Sequence, residues 1–429
     1  MKFWKYGRAA LALMGSIILG MSITCCGVYT SGYMFVTGAQ YSQIGAYKID
    51  HDFGYLTPVT GSPFASGPHP VQEAVIPGGR FLAVLNEGSN SVSIYTIGGA
   101  GVLYFQANYS TSGSNPISMT VSPTGNYLYV VDQVAPDGSG RGDITVFSID
   151  PSIGKLTLVT NANTFNTNGS QLPYFEVNYK PVQVITGSAS AATGAGGSFV
   201  YVLDSAYAAS AGSGVPAACL NAPAGSPCTV PDVFLYQINN STGQLTLTQN
   251  APLVLNTLPG AASTIYSSGQ YVWIADTANG AGSGRILPFT IGGGGVLQTL
   301  VGGPVNNPST VPFPDAILAS SNTHFLYVAN FGPGPITQPN SNISAFTIDA
   351  TNGQLTPLAP DIYPTGAGPI WLAIDSTNQY IYSVNFNDNT ITGKVIQQTT
   401  GQLSPLLKGS VAQPTVGQPT YIAVSGRTY

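Results

Sequence analysis

His69 and Glu73 lie four residues apart, and Lys180 opens a related segment, with Lys180-Pro181-Val182 matching His69-Pro70-Val71. An imidazole beside a carboxylate can activate water, and an ammonium group can stabilise the oxyanion formed when water attacks an ester carbonyl. These residues therefore suggest a hydrolytic set: His69 as general base, Glu73 orienting it and Lys180 at the oxyanion. A second group is Asn86, Glu87, Asp132, Asp204, Asp276, Asn330 and Asn385, each at or just after the end of an apolar run. Such amides and carboxylates can bind substrate hydroxyls, with Asp132 and Asp204 the foremost candidates, or can cap local turns. The other histidines, His51 and His324, fall in turns expected on the opposite face. Asp132, Asp137 and Asp143 share one loop, but their spacing misses the calcium-hand pattern and suits solvated turn acids, so no metal site is assigned.

The elements that must position these residues recur. An aromatic strand such as Tyr127-Leu128-Tyr129-Val130-Val131-Asp132 has counterparts starting at Tyr33, Phe81, Phe199, Tyr271, Phe325 and Tyr380. A second strand follows, as in Ile343 to Asp349, with the alternation of a β-strand. A turn comes next in which an Ile, three or four residues, Gly, one residue and Leu follow in order. Its copies are Ile49/Gly54/Leu56, Ile97/Gly101/Leu103, Ile149/Gly154/Leu156, Ile238/Gly243/Leu245, Ile291/Gly295/Leu297, Ile348/Gly353/Leu355 and Ile396/Gly401/Leu403. Glycine there supplies the positive φ of a tight hairpin. A further strand, often opening with Pro, precedes each aromatic one. Four antiparallel strands (a, b, c, d) per unit of about this length predict an all-β, seven-bladed β-propeller over 33–429. The chain enters in phase with strand b at Tyr33 and ends on an orphan strand a, Pro419 to Val424. That last strand is expected to complete the first blade.

The aromatic b strands, the Ile-Asp turns and the Thr-Gly-Gln-Leu-Thr-Pro segments resemble the lactonase-type seven-bladed propellers, which include 6-phosphogluconolactonase-like proteins. Tyr327-Val328-Ala329-Asn330 is similar to the Tyr-Val-Thr-Asn repeat of related propellers. The resemblance implies a propeller whose ligand sits at the channel face bearing the d–a and b–c loops, and lactone hydrolysis as one activity. It also implies histidines at the start of the third strand a, where this chain has Tyr179-Lys180-Pro181-Val182-Gln183.

Only 7% of the residues are charged, with a net charge of −5 and no basic run, which excludes a nucleic-acid surface. Gly 52 and Pro 32 exclude long solvent-facing helices, and Tyr 24 with Phe 17 supply ample core. Lys2, Lys5 and Arg8 precede an apolar run from Ala9 to Ile23, the pattern of a secretory signal peptide over 1–26. Ile23-Thr24-Cys25-Cys26-Gly27 resembles a bacterial lipobox with Cys26, or Cys25, as the lipid-modified residue. Residues 27–32 are a short linker. Export would let Cys219 and Cys228 form a disulfide in an oxidising compartment. Insertions are expected near 160–198 and 205–231. No phosphate loop, serine elbow or zinc helix occurs, so no cofactor is expected. The sequence reading is an exported envelope protein, lipid-anchored and monomeric. It is expected to bind a sugar-derived ligand, a glycan or an envelope protein, with sugar-lactone hydrolysis as the alternative.

Overall fold

The structure is a computed structural model describing residues 29–162, 169–189, 196–206, 231–248, 252–255, 262–277, 284–308, 313–332, 341–406 and 413–426. Cys25, Cys26, Cys219 and Cys228 lie outside these residues. Among the described residues, no helix is long and apolar enough to cross a membrane.

Seven antiparallel sheets form the ring, each ordered a-b-c-d from the centre outwards. Strands b are Thr30–Gly38, Phe81–Asn86, Tyr127–Val134, Gly197–Ala206, Tyr271–Asp276, Phe325–Phe331 and Tyr380–Asn385. They define blades 1 to 7. The C-terminal strand Pro419–Gly426 pairs with Thr30–Gly38, placing Met34 opposite Val424 and Val36 opposite Ile422, so the first blade is closed by the last strand. In blades 2 and 6, strand d is continuous, over Leu103–Ser110 and Leu355–Pro364. In the other five it breaks after three or four residues, and a two-residue segment further along, such as Phe64–Ala65, returns to pair with strand c. The expected insertion at 160–198 is partly regular structure, since Tyr179–Ala189 is strand a of blade 4.

Blade packing explains the composition of strand b. Phe81–Asn86, Tyr271–Asp276 and Tyr380–Asn385 are buried at every position, because each blade face meets a neighbouring blade. A strand covered on both faces needs a continuous apolar run rather than alternation. Seven apolar clusters follow, one between each adjacent pair of blades. The cluster of Met34, Val36 and Ile49 with Tyr380, Tyr382 and Val384 joins blades 1 and 7.

Glycine in the Ile-Gly-Leu turn is required twice over. All seven of these glycines have φ between 69° and 80°. A Cβ on Gly54 would also strike the Tyr380 ring, and one on Gly101 the Tyr33 ring, the first aromatic residue of strand b in the preceding blade. The same contact recurs around the ring, ending with Gly401 on Phe325.

Candidate active site

The site is built by the way strand a begins. The residue before the strand proline, or before its equivalent, is left-handed in five blades: His69 (φ 48°), Asn115 (φ 56°), Lys180 (φ 52°), Gly368 (φ 71°) and Gln418 (φ 49°). Immediately after it the register with strand b skips one residue. The skipped residues are Val71, Ile117, Val182, Ser263, Asp315, Ile370 and Thr420. A bulge takes its extra residue out of the ladder and re-aims its side chain. All seven line one cavity of about 150 Å³ enclosed by the seven inner strands. This is the central channel, and it lies at the end of strand a where the d–a loops arrive.

The next residue along strand a holds the inner ring together. Gln72 grips blade 3, donating to Met119 O at 2.9 Å and accepting from Met119 N at 2.6 Å. Gln183 accepts from Ile265 N at 3.0 Å and Thr264 Oγ1 at 2.8 Å in blade 5. Ser118 accepts from Val184 N at 3.2 Å in blade 4. Each such bond satisfies an inner-strand amide that has no fifth strand to pair with. Trp371 and Tyr421 complete the lining, with ring centroids 4.2 Å apart and planes 28° from parallel.

Among the described residues, Asp315 is the one acid in this lining, and no basic side chain lines it. Burial pushes its carboxyl up to about 7. It makes no hydrogen bond or ion pair among the described residues. Sequence reasoning missed it, although aligning the prolines of strand a shows an acid where the other blades carry Val, Ile, Ser or Thr.

The expected hydrolytic set is not assembled. His69 is 53% exposed and its Nδ1 contacts Glu87 Oε2 at 2.5 Å, not Glu73. Glu73 is 1% exposed, with Oε1 accepting from Ala423 N of blade 1 at 3.1 Å. Burial holds its carboxyl well above the usual range. The separation is geometric: residues four apart on a strand are about 13 Å apart. Glu87 reaches His69 because its amide donates to His69 O at 3.0 Å, extending the a–b ladder into the loop. Lys180 is exposed, and its carbonyl accepts from Ser205 Oγ at 3.0 Å. Neither His69 nor Lys180 lines the channel cavity.

The polar ring at the ends of strand b also has a place of its own. Asn86, Asp132, Asp204, Asp276, Asn330 and Asn385 are at most 1% exposed. Strand b, which carries them, lies one layer outside the channel-lining strand a. Asn86, Asn330 and Asn385 donate to Ser93 Oγ, Ser344 Oγ and Thr392 Oγ1 of strand c at 2.7, 2.8 and 3.0 Å. Asp132 accepts from Thr145 Oγ1, the equivalent residue of blade 3, at 3.1 Å. Blade 5 instead pairs Asp276 with Arg285 at 3.1 Å. Blade 1 has Gly38 at this position, and Val416 fills the space.

Blades 3 and 4 pair two acids. Asp132 lies opposite Asp143 and Asp204 opposite Asp232, all fully buried. Burial raises all four carboxyls, and charge repulsion adds to it at Asp143, from Asp132, and at Asp204, from Asp232. Asn178 Nδ2 donates to Asp232 Oδ2 at 2.7 Å. Asp137 turns away to accept from Ser139 N at 2.9 Å, so the acidic loop does not gather its three carboxylates. Among the described residues, no group of three or more His, Cys, Asp or Glu side chains is placed to hold a metal.

Comparison with known proteins follows this geometry. The family model of the lactonase seven-bladed β-propellers matches residues 32–169 and 296–424, more than half of the chain. The chain belongs to that family. Its fold is shared with a candidate 6-phosphogluconolactonase of Bacteroides fragilis at 17% identity and a TM-score of 0.65, over 93% of this chain and 99% of that one. A similar protein from Bacteroides uniformis, also a candidate 6-phosphogluconolactonase, is 13% identical with a TM-score of 0.65, over 92% and 100%. The periplasmic gluconolactonase of Pseudomonas aeruginosa is 17% identical with a TM-score of 0.64, over 92% and 99%. No curated protein matches the chain. Within this lactonase-family propeller, the family match omits residues 170–295, which include the Asp204–Asp232 and Asp276–Arg285 pairs.

Proposed function

We propose that this lactonase-family propeller is an envelope protein that binds a small, non-phosphorylated ligand in the central channel. One observation carries the reading: a cavity lined by all seven inner strands holds a carboxyl and no cation. A sugar phosphate needs arginine, lysine or a cluster of free amides. An uncompensated carboxyl in the same small cavity repels it instead. The name of the Pseudomonas aeruginosa relative, a periplasmic gluconolactonase, agrees with an unphosphorylated ligand and an exported protein. The test is calorimetric titration of the mature protein with glucose and glucose 6-phosphate. Binding of glucose with none of its phosphate ester supports the reading, and tighter binding of the phosphate ester overturns it.

Lactone hydrolysis is a second reading, favoured by the His69–Glu87 contact. A carboxylate on Nδ1 leaves Nε2 to take a proton from water. The oxyanion would then need donors from main-chain amides, because no cation lines the channel. Acid release from a panel of sugar lactones decides. Turnover that falls at least about a hundredfold in His69→Ala, the low end for a general base, supports this reading; unaltered turnover removes His69 from it.

Export with lipid attachment at Cys26, or Cys25, rests on the amino-terminal pattern. Mass spectrometry of the mature terminus tests it, since a free amino terminus downstream of Cys26 overturns the anchor.

A further inference from the structure

We propose that the channel ligand carries a protonated amine, held by Asp315 and the Trp371–Tyr421 ring pair. The inference rests on the channel-binding reading above and adds the ligand's charge to it.

The bulge residues divide into three kinds. Val71, Ile117, Val182 and Ile370 give the channel an apolar wall. Ser263 and Thr420 are hydroxylic, but both hydroxyls are engaged between blades: Ser263 Oγ donates to Pro314 O at 2.5 Å and Thr420 Oγ1 to Pro70 O at 3.0 Å. Asp315 alone is left without a protein partner. A carboxylate withdrawn from solvent, as Asp315 is, is costly unless a cation or a proton neutralises it. Among the described residues, no Lys, Arg or His lines the cavity to do so. An incoming ammonium group would supply the missing charge and form a charge-assisted hydrogen bond.

Two further groups in the same lining fit that ligand. Trp371 lines the cavity with one ring face stacked on Tyr421, an electron-rich pair suited to a cation. Gln183 spends its Oε1 on Ile265 N and Thr264 Oγ1, and among the described residues its Nε2 has no hydrogen-bond acceptor. That amide suits a hydroxyl or carbonyl oxygen of the ligand. The cavity of about 150 Å³ has room for a single small ring or a short chain. An amino sugar or amino alcohol has the required pair of groups. With its carboxyl pushed up to about 7, Asp315 exchanges its proton readily near neutral pH, and an entering cation favours the ionised form.

The experiment compares glucosamine, glucose and N-acetylglucosamine on the mature protein by calorimetry and by quenching of tryptophan fluorescence. Glucosamine is expected to bind at least about tenfold more tightly than the two neutral sugars. In Asp315→Asn, which keeps size and shape, that advantage should shrink to within about threefold, with an unchanged melting temperature showing that the ring is intact. Trp371→Phe should remove the quench, since Trp273 is fully buried. If the neutral sugars bind as well as glucosamine, or if Asp315→Asn keeps the preference, the amine inference fails and the channel-binding reading stands. If none of the three sugars binds, both fall together.

Discussion

Tyr382 Oη donates to Gly54 O at 2.7 Å, joining two residues 328 positions apart in the chain. The bond crosses the junction of blades 7 and 1. The same tyrosine-to-glycine bond joins Tyr327 to Gly401 at 2.9 Å and Tyr201 to Gly295 at 2.7 Å. It lies directly beneath the contact of each turn glycine with the first aromatic residue of the preceding blade. Tyr129 occupies the equivalent position in blade 3, yet its hydroxyl is buried without a partner.

The two tyrosines should therefore respond oppositely to loss of the hydroxyl. Tyr382→Phe is expected to destabilise by about 1 kcal/mol, the net worth of one hydrogen bond. Tyr129→Phe should be neutral or stabilising, because it removes a buried polar group with nothing to bond. Chemical denaturation midpoints of the two variants check this, and equal losses would contradict it.

The turn glycine makes a stronger prediction. Gly54→Ala places an L side chain at φ 69° and drives a methyl into the Tyr380 ring. Left-handed backbone costs about 1–2 kcal/mol and overpacking about 1–3 kcal/mol more. Gly78→Ala separates the two costs, since Gly78 has φ 98° with nothing within 4 Å of the added methyl. Gly54→Ala should lose clearly more stability than Gly78→Ala in the same denaturation assay.

The acid pairs of blades 3 and 4 tie stability to pH. All four carboxyls titrate above the unfolded value near ~4, so the folded chain holds protons that the unfolded chain releases. Their contribution is fully present below the unfolded value and is lost as pH rises through the raised folded values. Asparagine already occupies both positions in blade 6, where Asn330 Nδ2 donates to Asn342 Oδ1 at 2.8 Å. Asp143→Asn and Asp232→Asn should therefore raise the melting temperature, most above neutral pH, and flatten its pH profile. A profile unchanged by both substitutions would show that the pairs are not its cause.

Ring closure can be tested by truncation. Stopping the chain at Gly417 removes strand a of blade 1, including Ala423, whose amide donates to Glu73. Blade 1 would then expose strand b at its inner edge and leave Glu73 without its one hydrogen bond. The truncated chain is expected to lose its cooperative unfolding transition and to aggregate. A truncated chain with the full-length melting temperature would contradict a closing role for this strand.

The repeat carries the architecture in plain view. Ile, Gly and Leu recur in the same order because each unit makes the same hairpin, and the aromatic strands recur because each lies between two blades. Those local requirements determine seven four-stranded units, and the phase of the termini determines that Pro419–Gly426 completes the first. The site was not legible in the same way. Proximity of His69 and Glu73 along the chain is no proximity in space, because an extended strand carries residues four apart away from each other. Glu87 takes that role through a ladder between strands a and b. The polar ring at the ends of strand b is visible in the sequence, yet only the layering of strands sets it one layer outside the channel-lining strand a. Asp315 gains its meaning from six other bulges, distant in sequence, that bring its neighbours to one cavity. Local sequence dictates each blade; the closed ring alone decides which side chains face one another across its centre.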